Sequence, residues 1–182
     1  MILTLIKTLT ADDDASLTFH NGVSSVVFDS TYDEYMFVFT DIGPATDTAD
    51  FTFQVNAAGA SGFNETMTTT SFIAHGYESG SGSSINYQTA EDQAQGTAYQ
   101  VLGDEIGNGS DESLAGILHI FTPANTTYVT NFYSRCTFYG ADDSAKDEFC
   151  AGYVNITEAV DEIQFKMDSG NFDVVIQLFG VA

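Results

Sequence analysis

The chain has very little positive charge. Four Lys and Arg residues stand against 26 Asp and Glu in 182 residues, a formal net charge of −22. The carboxylates are scattered along the chain and not gathered in a tail, so the whole surface repels phosphate backbones and anionic membranes, and nucleic-acid binding is excluded as a function class. Long apolar runs are missing too. Nothing approaches the roughly 20 residues that span a bilayer, and the opening Met1-Ile2-Leu3-Thr4-Leu5-Ile6-Lys7 lacks the basic start of a secretory signal. The expectation is a product made in a cytoplasm, with no membrane insertion.

Cysteine is scarce: Cys136 and Cys150 are the only two. A structural zinc site needs four ligands, and neither has a CxxC partner or a neighbouring histidine, so zinc binding and thiol redox catalysis fail on spacing. The strands that carry them flank a turn, Gly140 to Lys146, whose centre falls at residue 143, which places the two directly opposite in a regular hairpin. Either a cross-strand disulfide forms there or two thiols fill a core layer. Standard catalytic signatures are absent as well. The chain has no GxSxG, HExxH, GxxxxGK[ST] or helix-opening GxGxxG, and the expectation is a protein that is not an enzyme.

What is present is aromatic and apolar. Fifteen Phe and nine Tyr, within a hydrophobic content of 43%, favour pleated, half-buried surfaces over helices. A chain of this length suits one domain spanning residues 1–182 and buries roughly 70% of the surface its unfolded form exposes. Between Ser30 and Gly59 one alternating segment places Tyr35, Phe37 and Phe39 on a single face. A second places Phe51, Phe53 and Val55 on a single face, and a Gly-Pro connection suggests that the two form a hairpin. Further strands are expected over Ile2–Leu9, Ser16–His20, Leu114–Phe121, Tyr128–Tyr139, Glu148–Asn155, around Ile163, Phe165 and Met167, and over Val174–Phe179. Turns are expected at Asp12–Asp14 and Asn21-Gly22, and a flexible polar loop from Glu78 to Gln95. About nine to ten short, evenly spaced strands without an internal repeat predict an all-β fold, an antiparallel β-sandwich of jelly-roll type.

The same segments carry a resemblance. STYDEYMFVFTDIGPATDTADFTFQVNAAG, FNETMTTTSF, GILHIFTPANTTYVTNFYSR and AGYVNITEAVDEIQFKMDSGN, with a closing strand that ends Leu178-Phe179-Gly180-Val181, make the chain similar to a family of small structural proteins of tailed bacteriophages of aquatic bacteria. Those proteins are described as virion or tail-fibre-like. The resemblance implies a place on the virion surface, with the major capsid protein or other virion proteins as partners, and it leaves the position open. One reading is an outer capsid decoration (cement) protein. The other is a tail fibre or tail-tip adhesin for a host receptor. A chain that enters a strand at Ile2, with no anchor segment before it, favours decoration. A homo-oligomer, preferably a trimer, is expected.

Candidate contact residues are Ile2, Leu3, Leu5 and Ile6, because the first strand is apolar on both rows. No cofactor is expected, although calcium has one weak candidate loop, Asp104 to Glu112, with Asp104, Asn108 and Asp111 as ligands. Its spacing departs from an EF-hand, with Ile106 at the third position and Ala115 at the twelfth.

Overall fold

The computed structural model describes residues 2–182 and shows an all-β protein. Thirteen strands run in order: β1 Leu3–Asp14, β2 Leu17–His20, β3 Glu34–Pro44, β4 Ala49–Ala57, β5 Met67–Tyr77, β6 Ser84–Tyr87, β7 Ala94–Gly96, β8 Gln100–Ile106, β9 Leu114–Phe121, β10 Thr130–Gly140, β11 Ser144–Val154, β12 Val160–Met167 and β13 Phe172–Val181. Every pairing is antiparallel.

The order within the sheets defines the architecture. One row reads β1-β13-β3-β9 and the facing row reads β2-β12-β4-β8. In chain order these eight strands alternate between two four-stranded layers except at β4 and β8, which follow one another in the same layer, and that is the double Greek key of a jelly roll. Two insertions enlarge only the first layer. The β10–β11 hairpin continues it beyond β9, and β5 adds to β11 with the short strands β6 and β7 at its far side. A single pairing, Gly140 with Ile106, joins the two layers along that side and nearly closes the fold.

The predicted inward rows hold, but the predicted hairpin does not. Tyr35, Phe37 and Phe39 are fully buried, as are Phe51, Phe53 and Val55. β3, however, pairs with β13 and β9, whereas β4 pairs with β12 and β8. The two strands face each other across the core, with the Phe39 and Phe51 rings in edge-to-face contact at 5.1 Å. Three further expectations are corrected. Asp12–Asp14 is the end of β1, bulged against β13 with Asp13 in the left-handed region (φ 56), and not a turn. Glu78–Gln95 contains β6 and the start of β7, and β8 is a strand that the sequence reading did not anticipate. With these short strands the count is thirteen instead of nine or ten.

The core is one cluster with Phe165 of β12 at its centre. Its ring lies 5.3 Å from both Phe37 and Phe39 of the opposite layer, 5.9 Å from Phe51 and 6.4 Å from Phe53 beside it, and 6.2 Å from Phe19 of β2. At one rim Gly180 is required. A Cβ there would sit 2.3 Å from the Tyr32 ring, which folds over the strand and meets Tyr35 edge-on.

Removing the central ring leaves a large void between layers that cannot both relax into it. Phe165→Ala should lower unfolding free energy by about 3–5 kcal/mol, read as a lower denaturant midpoint with an unchanged slope. Phe179→Ala, on the outward row of β13, should shift it far less.

Candidate functional site

The registers gather one end of every long strand. Asp14 lies opposite Phe172, Phe172 opposite Pro44, Ile42 opposite Leu114, and Gly140 opposite both Ser144 and Ile106. Asp12–Asp14, Asp41, Asp47, Asp50, Asp104, Glu105, Asp111, Glu112, Asp142, Asp143, Asp168 and Asp173 all fall at this end, more than half of the chain's acidic residues. The charge that looks scattered in the sequence is thus polarised in space. A shallow cleft of about 400 Å³ opens here between Asp41, Asp111, Glu112 and Asp173.

This end does not assemble the expected calcium ligands. β8 continues to Ile106, so Asp104 belongs to a strand, where Gln88 Nε2 donates to its carboxylate at 3.3 Å. Asn108 lies in the following turn and its amide donates to the Ala45 carbonyl at 3.3 Å, while Asp111 sits on the cleft rim. Glu112 turns its carboxylate onto the Gly109 N–H of its own loop. Among the described residues no group of three or more His, Cys, Asp or Glu side chains is placed to hold a metal ion.

The most perturbed titratable groups lie inside the inserted layer, between β5, β8 and β11. Glu148 is fully buried. Ser71 Oγ donates to one of its oxygens and the Asp104 N–H to the other, both at 3.0 Å, and burial pushes its pKa up to about 7. Burial followed by repulsion from Asp104 and Asp50 raises Glu91 to about 7, and burial takes Asp50 to about 6. Lys146, also buried, donates to the Asp104 carbonyl at 3.2 Å and to Glu105 at 3.3 Å, and its ammonium lies over the Phe138 ring. Raised carboxylates beside a lysine are the raw material of acid–base chemistry. Glu148 nevertheless exposes no surface, and its oxygens are taken up by neighbouring strands. The arrangement ties β5, β8 and β11 together.

The two cysteines belong to the same layer and are free and buried. The turn spans Ala141–Asp143, so Gly140 faces Ser144, the turn is centred at residue 142 instead of 143, and every partner is two residues away from the symmetric expectation. Cys136 therefore opposes Glu148, and Cys150 opposes Ser134. The thiols are diagonal neighbours on one face, and a diagonal separation of about 7–8 Å lies beyond disulfide reach. Burial pushes both thiols well above their usual range.

The surface that stands out is the outward face of the enlarged layer. Away from the acidic end, the outward rows of β13, β3, β9, β10, β11 and β5 carry only two carboxylates, Glu34 and Asp147, and each is paired. Glu34 bonds to His119 Nδ1, and Asp147 takes a two-pronged bond from Arg135 at 3.0 and 2.8 Å. Phe72 and Phe149 stack at 4.8 Å, the Arg135 guanidinium covers the far side of Phe149 at 4.9 Å, and Tyr133 stacks on His119 at 4.6 Å. Val38, Ile117 and Arg135 line a shallow groove of about 460 Å³ beside this ladder. Sequence reading missed the face because its residues come from six strands far apart in the chain. Its one local trace is the apolar outward row of Met36 and Val38.

The contact candidates lie at the edge of this same layer. β1 pairs with β13 alone, leaving its other side open. Ile2, Leu3 and Leu5 are 69%, 46% and 51% exposed, while Ile6 packs partly against the core.

Two outcomes follow. Because the Glu148 pKa is higher in the fold than the ordinary 4.5, the folded state loses stability as pH rises from about 4.5 through about 7, by up to about 3 kcal/mol for this group. The denaturant midpoint should be higher at pH 5 than at pH 8, and Glu148→Gln, which can bond both partners without charge, should flatten that slope. A thiol reagent at pH 8 should leave native Cys136 and Cys150 unlabelled and modify both once the chain is unfolded.

No protein family, no curated protein and no solved structure matches the chain, so function is inferred from these surfaces.

Proposed function

We propose that this protein is a non-catalytic structural domain of a bacteriophage virion, an outer capsid decoration protein that stabilises the head by surface contact. The observation that carries the reading is the outward face of the enlarged layer, nearly free of net charge on a chain of −22. A highly charged protein that works by contact needs one side where approach is not opposed by repulsion and where apolar area can be buried. This face offers such a side, with Phe72 and Tyr133 each 42% exposed as aromatic anchors. Jelly rolls occur in viral capsid proteins and also in lectins and cupins, so the architecture is compatible with the reading and does not select it.

Ring orientation favours contact with protein over stacking on a sugar. Phe72 and Phe149 lie 6° from parallel and turn their faces to each other, and His119 and Tyr133 do the same at 13°. Stacked upright across the strands, the rings turn their edges outward and have little free face for a sugar ring. Glu148, closed off from solvent with both oxygens bonded, supports a role without chemistry.

The reading is tested on purified particles by quantitative mass spectrometry with image reconstruction. Hundreds of copies spread over the shell are expected, and a few copies confined to the tail would overturn decoration in favour of an adhesin. Tyr133→Asp should lower incorporation at least tenfold while leaving the denaturant midpoint of the isolated protein within experimental error. Normal incorporation of this variant would remove the face from the contact.

A further inference from the structure

We infer that two copies of this chain join edge to edge through β1, antiparallel, with a two-fold axis at Thr4. The inference concerns the β1 edge and holds whether or not the protein sits on a virion.

The segment Ile2-Leu3-Thr4-Leu5-Ile6 reads the same in both directions. A palindromic strand laid antiparallel on its own copy meets itself residue for residue. Ile2 opposes Ile6, Leu3 opposes Leu5, and Thr4 opposes Thr4. No charge falls within the paired stretch, and like side chains meet at every position, with apolar contacts flanking a Thr–Thr pair.

The backbone is set for the same register. Ile2 and Ala182 exchange both hydrogen bonds, at 2.9 and 3.0 Å, so Ile2 and by alternation Thr4 turn their amides toward β13. Leu3 and Leu5 then turn theirs to the open edge. With the axis at Thr4, Leu3 of each copy lies opposite Leu5 of the other as a bonded pair, which gives four new hydrogen bonds. The bulge between Leu5 and Lys7 falls at Ile6, the last residue of the palindrome, and changes the alternation there, so the bonded match runs from Leu3 to Leu5 and ends.

Side chains and charge agree with it. Leu5 shares the outward face with Phe179, and pairing would bury the exposed Leu3 and Leu5 against their counterparts while joining the two uncharged outward faces across the axis. The strand carries no acidic residue before Asp12. Antiparallel pairing sends the two acidic ends in opposite directions, whereas parallel pairing would set them side by side. Edge strands commonly carry charges, prolines or bulges that block such pairing, and Ile2–Leu5 has none, the one nearby bulge falling at Ile6 beyond the residues that supply the new bonds. An isologous pairing of this kind closes at two copies, so this edge makes a dimer and not the trimer expected from the sequence.

Sedimentation of the full chain in 0.3 M salt tests it, with repulsion screened. The contact is small and belongs to the transient class. The average mass should therefore climb from 19.6 kDa toward twice that value between about 10 µM and about 1 mM. Leu3→Pro removes an N–H that points only to the open edge. It should hold the protein at monomer mass with an unchanged circular dichroism spectrum.

Cross-linking gives a separate measure that does not depend on that variant folding. A non-bonded antiparallel pair sits about 4.5 Å apart at Cα, so Thr4→Cys should form an intermolecular disulfide under mild oxidation. Thr10→Cys, roughly 40 Å from its counterpart in this register, should not. A constant monomer mass up to about 1 mM would overturn the inference. So would equal cross-linking at both positions, or an undiminished dimer in folded Leu3→Pro.

Discussion

The packing of Phe165 between the two layers is the contact on which the rest depends. Its ring is within 6.4 Å of Phe rings from β2, β3 and β4, so one side chain of one layer meets both rows that line the sandwich. Such aromatic pairs add about 0.5–1.5 kcal/mol each beyond the area they bury. They also fix the separation and offset of the layers, because edge-to-face contacts tolerate little sliding. Once β3 and β12 are locked in this way, β13 pairs against β3 and β4 against β12 in registers that keep their own inward rows facing the cluster, and a slip of one residue would turn those rows outward. The alternation of successive strands between layers follows, and with it the gathering of turns and carboxylates at one end.

How much of this was legible follows from what alternation can and cannot encode. It identified the inward rows of β3, β4 and β12, and the bounds of β9 to the residue, because a strand with one wet face writes its orientation into every second position. Alternation says nothing of which sheet a strand joins. β3 and β4 therefore read as a hairpin when they are opposite walls. β8 was missed because its buried residues, Gln100, Leu102, Gly103 and Ile106, mix polar with apolar and do not alternate. The first strand was legible as apolar on both rows, but its place at an open edge is a property of topology. The uncharged outward face was the least legible of all, since no window of sequence contains more than one of its rows.

The polar interior of the inserted layer is a different solution from the aromatic core beside it. Glu148 accepts from Ser71 of β5 and from the Asp104 amide of β8, and Lys146 reaches the Asp104 carbonyl from the same strand, so each bond exists in one register only. A purely apolar contact between β8 and β11 would tolerate a slip of two residues. This one does not, because a slip would leave a buried carboxylate and a buried ammonium unpaired at a cost of several kcal/mol. Protonation of Glu148 near neutral pH relieves part of the strain that burial imposes. The insertion thus holds its place by specificity more than by buried area, and by holding it presents Phe72 and Phe149 on one rung of the outward face and Tyr133 on the next.

Polarised charge and an uncharged side together constrain how such a molecule can assemble. Repulsion between unit charges falls off over about 8 Å at physiological salt, so two copies can approach closely only if their acidic ends stay well apart. Side-by-side contact through the outward face or the β1 edge meets that condition, and antiparallel contact meets it best. End-to-end contact at the acidic pole does not, unless cations collect there, and several carboxylates at that end accept from backbone amides, Asp173, Asp168, Asp50 and Asp47 from neighbouring segments and Glu112 from its own turn. Repulsion is therefore weakest at the lateral surfaces and strongest at the acidic end. That division arises from the same registers that bring one end of every long strand together, so the electrostatic constraint on any association and the fold share one origin.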